Sequence, residues 1–150
     1  MTTRSINDLN AFGTQIVKKE AATLVNGTTI FTITGGPILI LELIAVCVTA
    51  NDNTASTLKF QADGTDGAAT DICAASAALT SAAAGTIVAT VPGTLATAMA
   101  IYTNGVGVAE TVSVIVPAGI ITTVVGVGST TGTWSIHMRY LPLSPSVTVV

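Results

Sequence analysis

Apolar and polar positions alternate with a period of two along much of this 150-residue chain, and breaks rich in Gly, Pro, Asn and Asp separate the alternating runs. Thr28 to Thr34 alternates and is β-branched almost throughout, the composition of a pleated, half-buried surface. Another run precedes it from Ile16, with Asn26-Gly27 between the two. That dipeptide readily supplies the two positive φ angles of a type I′ turn, so the spacing predicts a hairpin from Ile16 to Gly35. Ile38 to Thr49 predicts a long strand apolar on both faces: Ile38, Ile40, Ile44, Val46 and Val48 on one, Leu39, Leu41, Leu43, Ala45 and Cys47 on the other. Such a strand belongs between a core and a second layer, which another copy of the chain can supply. Glu42 interrupts it and requires water or a partner.

Further strands are predicted over Thr57 to Ala62, Thr86 to Val91, Leu95 to Tyr102, Thr111 to Val116, Ile120 to Val127 and Thr133 to Leu141. Asp63 to Gly67 is a turn. Ala68 to Ala84 has the alanines of a helix but is punctuated by Thr, Ser and Gly, and is read as a long loop with a short turn of helix. Turn signals about 8–12 residues apart mark an all-β sandwich or barrel. The expected division is an N-terminal arm over residues 1–15, a β-sandwich domain over 16–141 and an extended C-terminal tail over 142–150. Ser5 to Leu9 resembles a weak capping box, with Ile6, Leu9 and Phe12 as apolar contacts of a docking arm or of a frayed terminus. In the tail, Pro142 and Pro145 oppose entry into a central ladder, and its apolar residues are expected to pack on a neighbour or fold back.

Composition shifts the emphasis from chemistry to packing. Asp, Glu, Lys and Arg make up 9% of the chain, against about 25% in ordinary soluble domains. Five basic residues and a net charge of −3 cannot build a phosphate-tracking stripe, so nucleic acid is not an expected partner. Mean hydropathy is +0.72, yet the most apolar run, Pro37 to Ala50, falls short of the ~20 residues of a membrane-spanning helix. No membrane partner is expected. The first eight residues lack the apolar stretch of a secretory signal, which suits a protein used inside a cell or released by lysis. Cys47 and Cys73 are expected as free thiols.

Candidate chemistry is sparse. His137 is the one histidine. Alternation places it with Ser135 and Arg139 on the polar side of the last strand, opposite Trp134, Ile136, Met138 and Tyr140. No Gly-x-Ser-x-Gly turn presents a nucleophile. His137 and Arg139 are instead candidates for an interface. Asp63, Asp66 and Asp71, with Asp52 as a possible neighbour in space, do not match a calcium-binding loop, and two cysteines with one histidine do not make a zinc site. Neither phosphate-loop glycine pattern is present. The expectation is no catalytic residue, no metal and no cofactor.

Gly132-Thr133-Trp134-Ser135-Ile136-His137-Met138-Arg139-Tyr140-Leu141-Pro142, the polar N-terminus and the Ala/Thr/Gly/Val strands between them give the chain a family character. It resembles the capsid decoration (cement) proteins of tailed bacteriophages. The resemblance implies a jelly-roll-like β-sandwich, often a homotrimer, assembled in the host cytoplasm and seated on the outer capsid surface of the virion. It also implies terminal arms that contact the major capsid protein. The contact arms are expected at 1–15 and 141–150, and the candidate interface residues are Ile6, Leu9, Phe12, His137, Arg139, Leu141 and Leu143. Deleting either arm is expected to release the protein from capsids while leaving the fold intact. The competing reading is a receptor- or glycan-binding fibre or spike module, which requires aromatic residues lining a concave site.

Overall fold

Strands dominate because β-branched and alternating residues fill the segments between the breaks. The computed structural model describes residues 13–65, 68–90, 98–102, 113–128 and 131–150, and among these it contains strands, turns and loops but no helix. The strands are β1 (Gln15–Thr23), β2 (Thr29–Thr34), β3 (Ile38–Thr49), β4 (Leu58–Gly64), β5 (Thr70–Asp71), β6 (Ile87–Ala89), β7 (Ala100–Tyr102), β8 (Val114–Val116), β9 (Gly119–Val125), β10 (Thr133–Pro142) and β11 (Thr148–Val149). They form two antiparallel sheets. One runs β1-β10-β3-β6-β7, with β8 also on β3; the other runs β11-β2-β9-β4-β5.

The pairing is nested. β1 pairs β10, β2 pairs β9, β3 pairs β8 and β6, and β4 pairs β5. The first half of the chain therefore lies against the second half as in one long hairpin, and the ladders β10–β3 and β9–β4 roll that hairpin into two sheets. Between the sheets Phe31, Ile33, Leu43, Leu58, Phe60, Ile121, Trp134 and Met138 are fully or almost fully buried. The core is apolar side chains from both inner faces, as a sandwich requires.

Four expectations are corrected. First, Asn26-Gly27 does not close a hairpin: β1 joins one sheet and β2 the other. Gly27 has φ +75° while Asn26 does not have a positive φ. With Thr28 N–H donating to Val25 O at 3.4 Å, this is the pattern of a type II turn, which needs one left-handed residue rather than two. It crosses between layers.

Second, the two faces of β3 switch midway. The register shift opposite Arg139 and Tyr140 leaves Leu41 as an extra residue, so the inward set runs Ile38, Ile40, then Leu43, Ala45 and Cys47. Third, residues 68–84 contain no helical turn among those described. Their N–H groups bond along β4 and the residues just before it instead: Ile72 to Phe60 O, Ser76 to Leu58 O and Leu79 to Ser56 O. An edge to pair with outweighs alanine's helix propensity.

Fourth, residues 143–150 do not stand out as an extended tail but fold back, one of the two outcomes expected for them. β11 closes the edge of its sheet beside β2, and Thr32 and Val150 exchange backbone bonds at 2.7 and 3.1 Å. Ser146 Oγ donates to Gly35 O at 2.6 Å. Pro142 ends β10 opposite Ile38, and the chain then turns back.

Removing 143–150 is therefore expected to lower the urea midpoint rather than leave the fold intact, because Thr32 to Thr34 lose their edge partner; an unchanged midpoint would contradict this. Gly119 has φ +151°, and a Cβ there would run into the Asp63 carbonyl. Gly119→Ala is expected to cost more than ~1 kcal/mol in equilibrium unfolding, with Gly128→Ala, where φ is not positive, as the milder comparison.

Candidate interaction face

The two sheets differ in what they show to the outside. On the β11-β2-β9-β4-β5 sheet the outward positions are Thr29, Thr32 and Thr34 on β2, Thr122 on β9, and Lys59, Gln61 and Asp63 on β4, with Ile120 and Val124 as apolar exceptions. Lys59 Nζ meets Asp71 Oδ2 at 2.7 Å, and Gln61 Nε2 donates to Asp71 Oδ1 at 3.1 Å. This is a hydrated surface.

The other sheet presents Leu39, Ile44 and Val46 from β3, Ile87 from β6, Ile115 from β8 and Leu141 from β10. Their outward direction follows from their partners: Leu43, Ala45, Ile136 and Met138, which alternate with them, are buried in the core. Ile115 is 64% exposed and Ile16, on β1, is 75% exposed. An apolar patch rimmed by polar residues is the mark of a contact surface.

A charged group crosses this field. Arg139 Nε lies 3.3 Å from Glu42 Oε2, which gives Glu42 the partner that its sequence position required. Lys18 on β1 is opposite His137 and pairs with Glu20 at 3.1 Å. Ser135 Oγ is 3.0 Å from His137 Nε2. Burial first, and then the Lys18 ammonium, hold the His137 imidazole below its usual pKa. Serine and histidine stand at hydrogen-bond distance, but both lie on one strand with ladders on either side. The contact is part of a flat face, and Ser135 is only 4% exposed.

Of the candidate residues, His137, Arg139 and Leu141 share this face, and Leu143 follows at its rim, 43% exposed. Ile6, Leu9 and Phe12 lie outside the described residues. Sequence reasoning missed Lys18, Ile87 and Ile115 as members of the face. The doubly apolar β3 was the signal that such a face exists, but its members on β6 and β8 depend on pairing partners far away in the chain.

Strand edges are poor alternatives for a partner. β5, β7, β8 and β11 are two or three residues long. β1 is longer but carries Lys18, Lys19 and Glu20 and a register shift between Lys19 and Ala22. Short, charged or bulged edges resist strand addition.

The remaining candidate chemistry resolves into structural roles. Asp52 accepts the Thr54 N–H at 2.9 Å, Asp71 is paired as above, and Asp66 lies outside the described residues. Among the described residues no three His, Cys, Asp or Glu side chains come together as a metal site. Cys47 and Cys73 are free and buried, and burial pushes the Cys73 thiol up to about 11. A cleft of about 440 Å³ opens between the β4–β5 end and β8, lined by Ala62, Thr65, Ile72, Val114 and Pro117 among others, with no aromatic side chain among the described residues of its wall. No described helix is long and apolar enough to cross a membrane. Comparisons with protein families, curated proteins and solved structures give no match.

The His137 shift has a thermodynamic consequence. Its pKa is lower in the folded chain, so as pH falls below about 6.5 the unfolded chain takes up the proton first. Stability is expected to drop from pH 7.5 to 5.5 and to level off below the folded pKa. His137→Gln is expected to flatten that slope in urea titrations at the two pH values, and an equal slope in both proteins would contradict the assignment.

Proposed function

We propose that this chain is a jelly-roll structural protein of a virion, a decoration protein that docks on the outside of the capsid and stabilises the shell. The nested pairing supports the jelly roll: β1-β10-β3-β6 in one sheet and β2-β9-β4-β5 in the other is the order of two interleaved Greek keys. That architecture serves viral capsid proteins and lectins alike, so fold alone does not choose between them.

The observation that carries the choice is the apolar outer face of the β3-containing sheet beside a Thr-rich opposite face. A decoration protein needs one adhesive side and one that faces water. The glycan-binding alternative needs aromatic platforms, and among the described side chains the aromatic ones, Phe31, Phe60, Trp134 and Tyr140, are committed to the core. The partner in this reading is the major capsid protein, reached through Leu39, Ile44, Ile87 and Ile115 with Arg139 and His137 among them. Self-association into a homotrimer belongs to the same reading, since closed symmetry is the usual form of soluble oligomers.

Ligands that bind only the folded shell raise its stability by mass action. Shells of the encoding virus that lack this chain are therefore expected to melt at higher temperature after the purified protein is added back. Ile115→Lys is expected to keep its own melting temperature and to bind shells at least tenfold more weakly, a loss of about 1.4 kcal/mol. Shells that melt alike with and without the protein would remove the proposal.

A further inference from the structure

His137 lies within the face that a partner would cover. It sits on β10 between Lys18 of β1 and Ile44 of β3, with Ser135 and Arg139 on its own strand. The charged groups around it are Lys18 and Glu20 from β1, Glu42 from β3 and Arg139 from β10. While the imidazole is neutral, two cations face two carboxylates and the group carries no net charge. Each carboxylate already holds a basic partner, Glu20 with Lys18 and Glu42 with Arg139. A proton on His137 adds a third cation with no carboxylate left over, beside Ile44 and Val46.

We propose that His137 sets the pH range in which this face docks: the face closes on its partner while the imidazole is neutral and lets go when it is protonated. This inference rests on the docking role proposed above. A partner surface that covers Ile44 and Val46 removes water from the ring, and desolvation disfavours the charged form. Protonation and docking therefore compete for the same side chain, and histidine is the residue whose ordinary titration falls in this range. The arrangement is already biased this way in the free protein, because burial and Lys18 oppose protonation more than Glu20 and Glu42 favour it.

The experiment measures retention of the purified protein on shells that lack it, by co-sedimentation at pH 7.5 and 5.5, for the wild type and His137→Gln. Circular dichroism at both pH values verifies that each protein is folded. The wild type is expected to bind at least tenfold more weakly at pH 5.5, and His137→Gln is expected to bind similarly at both. Retention of the wild type that is unchanged or stronger at pH 5.5 overturns the inference, as does an equal loss in the variant, which would place the titrating group elsewhere. Absence of binding by the wild type at pH 7.5 would instead overturn the docking role itself.

Discussion

The ladder between β3 and β10 is the constraint on which the rest of the structure depends. It matches residues 38–49 with 133–142, so the two longest strands, drawn from distant parts of the chain, must meet before their sheet is complete. On the inward side this pairing sets Leu43 beside Met138, Ala45 beside Ile136 and Cys47 beside Trp134, the floor of the core. On the outward side it sets Glu42 beside Arg139 and Leu39 beside Leu141. One register thus determines both the interior and the candidate docking face. A slip by one residue would exchange them, turning Arg139 and His137 into the core and Met138 and Trp134 out.

A buried polar contact helps to hold that register. Trp134 Nε1 donates to Asn51 Oδ1 at 2.8 Å, and Asn51 Nδ2 donates to Leu79 O at 3.0 Å. Trp134 is 1% exposed and Asn51 6%, so neither group has ready recourse to water, and an unmade bond here would cost about 1–3 kcal/mol. The contact ties the end of β10 to the loop after β3 and to the irregular segment beside β4, spanning both sheets. Gly132 permits it, because a Cβ at that position would occupy the space of the Asn51 side chain. By comparison the exposed Arg139–Glu42 pair contributes less than ~1 kcal/mol to stability. Its importance lies in placement.

The class of fold and most strands were legible in the sequence because alternation is a local property. Thr133 to Leu141 was read within one residue of β10, and Trp134, Ile136, Met138 and Tyr140 were read on one face, where they are buried. The failures share a cause, the effect of distant partners on local pattern. Asn26-Gly27 has the chemistry of a hairpin turn, but Val17 and Phe31 pack on different sheets, so the same glycine serves a crossover. Leu41 looks like one more apolar residue in an even run, and only the pairing of its neighbours Glu42 and Ile40 with Arg139 and Tyr140 reveals it as a bulge. The C-terminal strand is two residues long, too short for any periodicity, and exists because β2 offers an edge. Of the candidate face, the β10 residues could be read from alternation, whereas Ile87 and Ile115 required the sheet order.

The placement of charge within the apolar face limits what kind of partner suits it. A uniformly apolar sheet surface would pack on any other, including unfolded chains and edge-to-edge aggregates. Glu42, Arg139, Lys18 and Glu20 interrupt that surface in pairs, so a partner lacking groups to receive them must strip their water without compensation. Such groups add little affinity and much discrimination, because the wrong partner is penalised more than the right one is favoured. The same reasoning explains the low charge elsewhere. With five basic and eight acidic residues in 150, a charge cluster spanning β1, β10 and β3 is a concentrated feature, and it lies on the sheet whose outward positions also include Leu39, Ile44, Val46, Ile87, Ile115 and Leu141. Threonines and the Lys59–Asp71 pair keep the opposite face hydrated, so the two outer faces of the molecule differ in character.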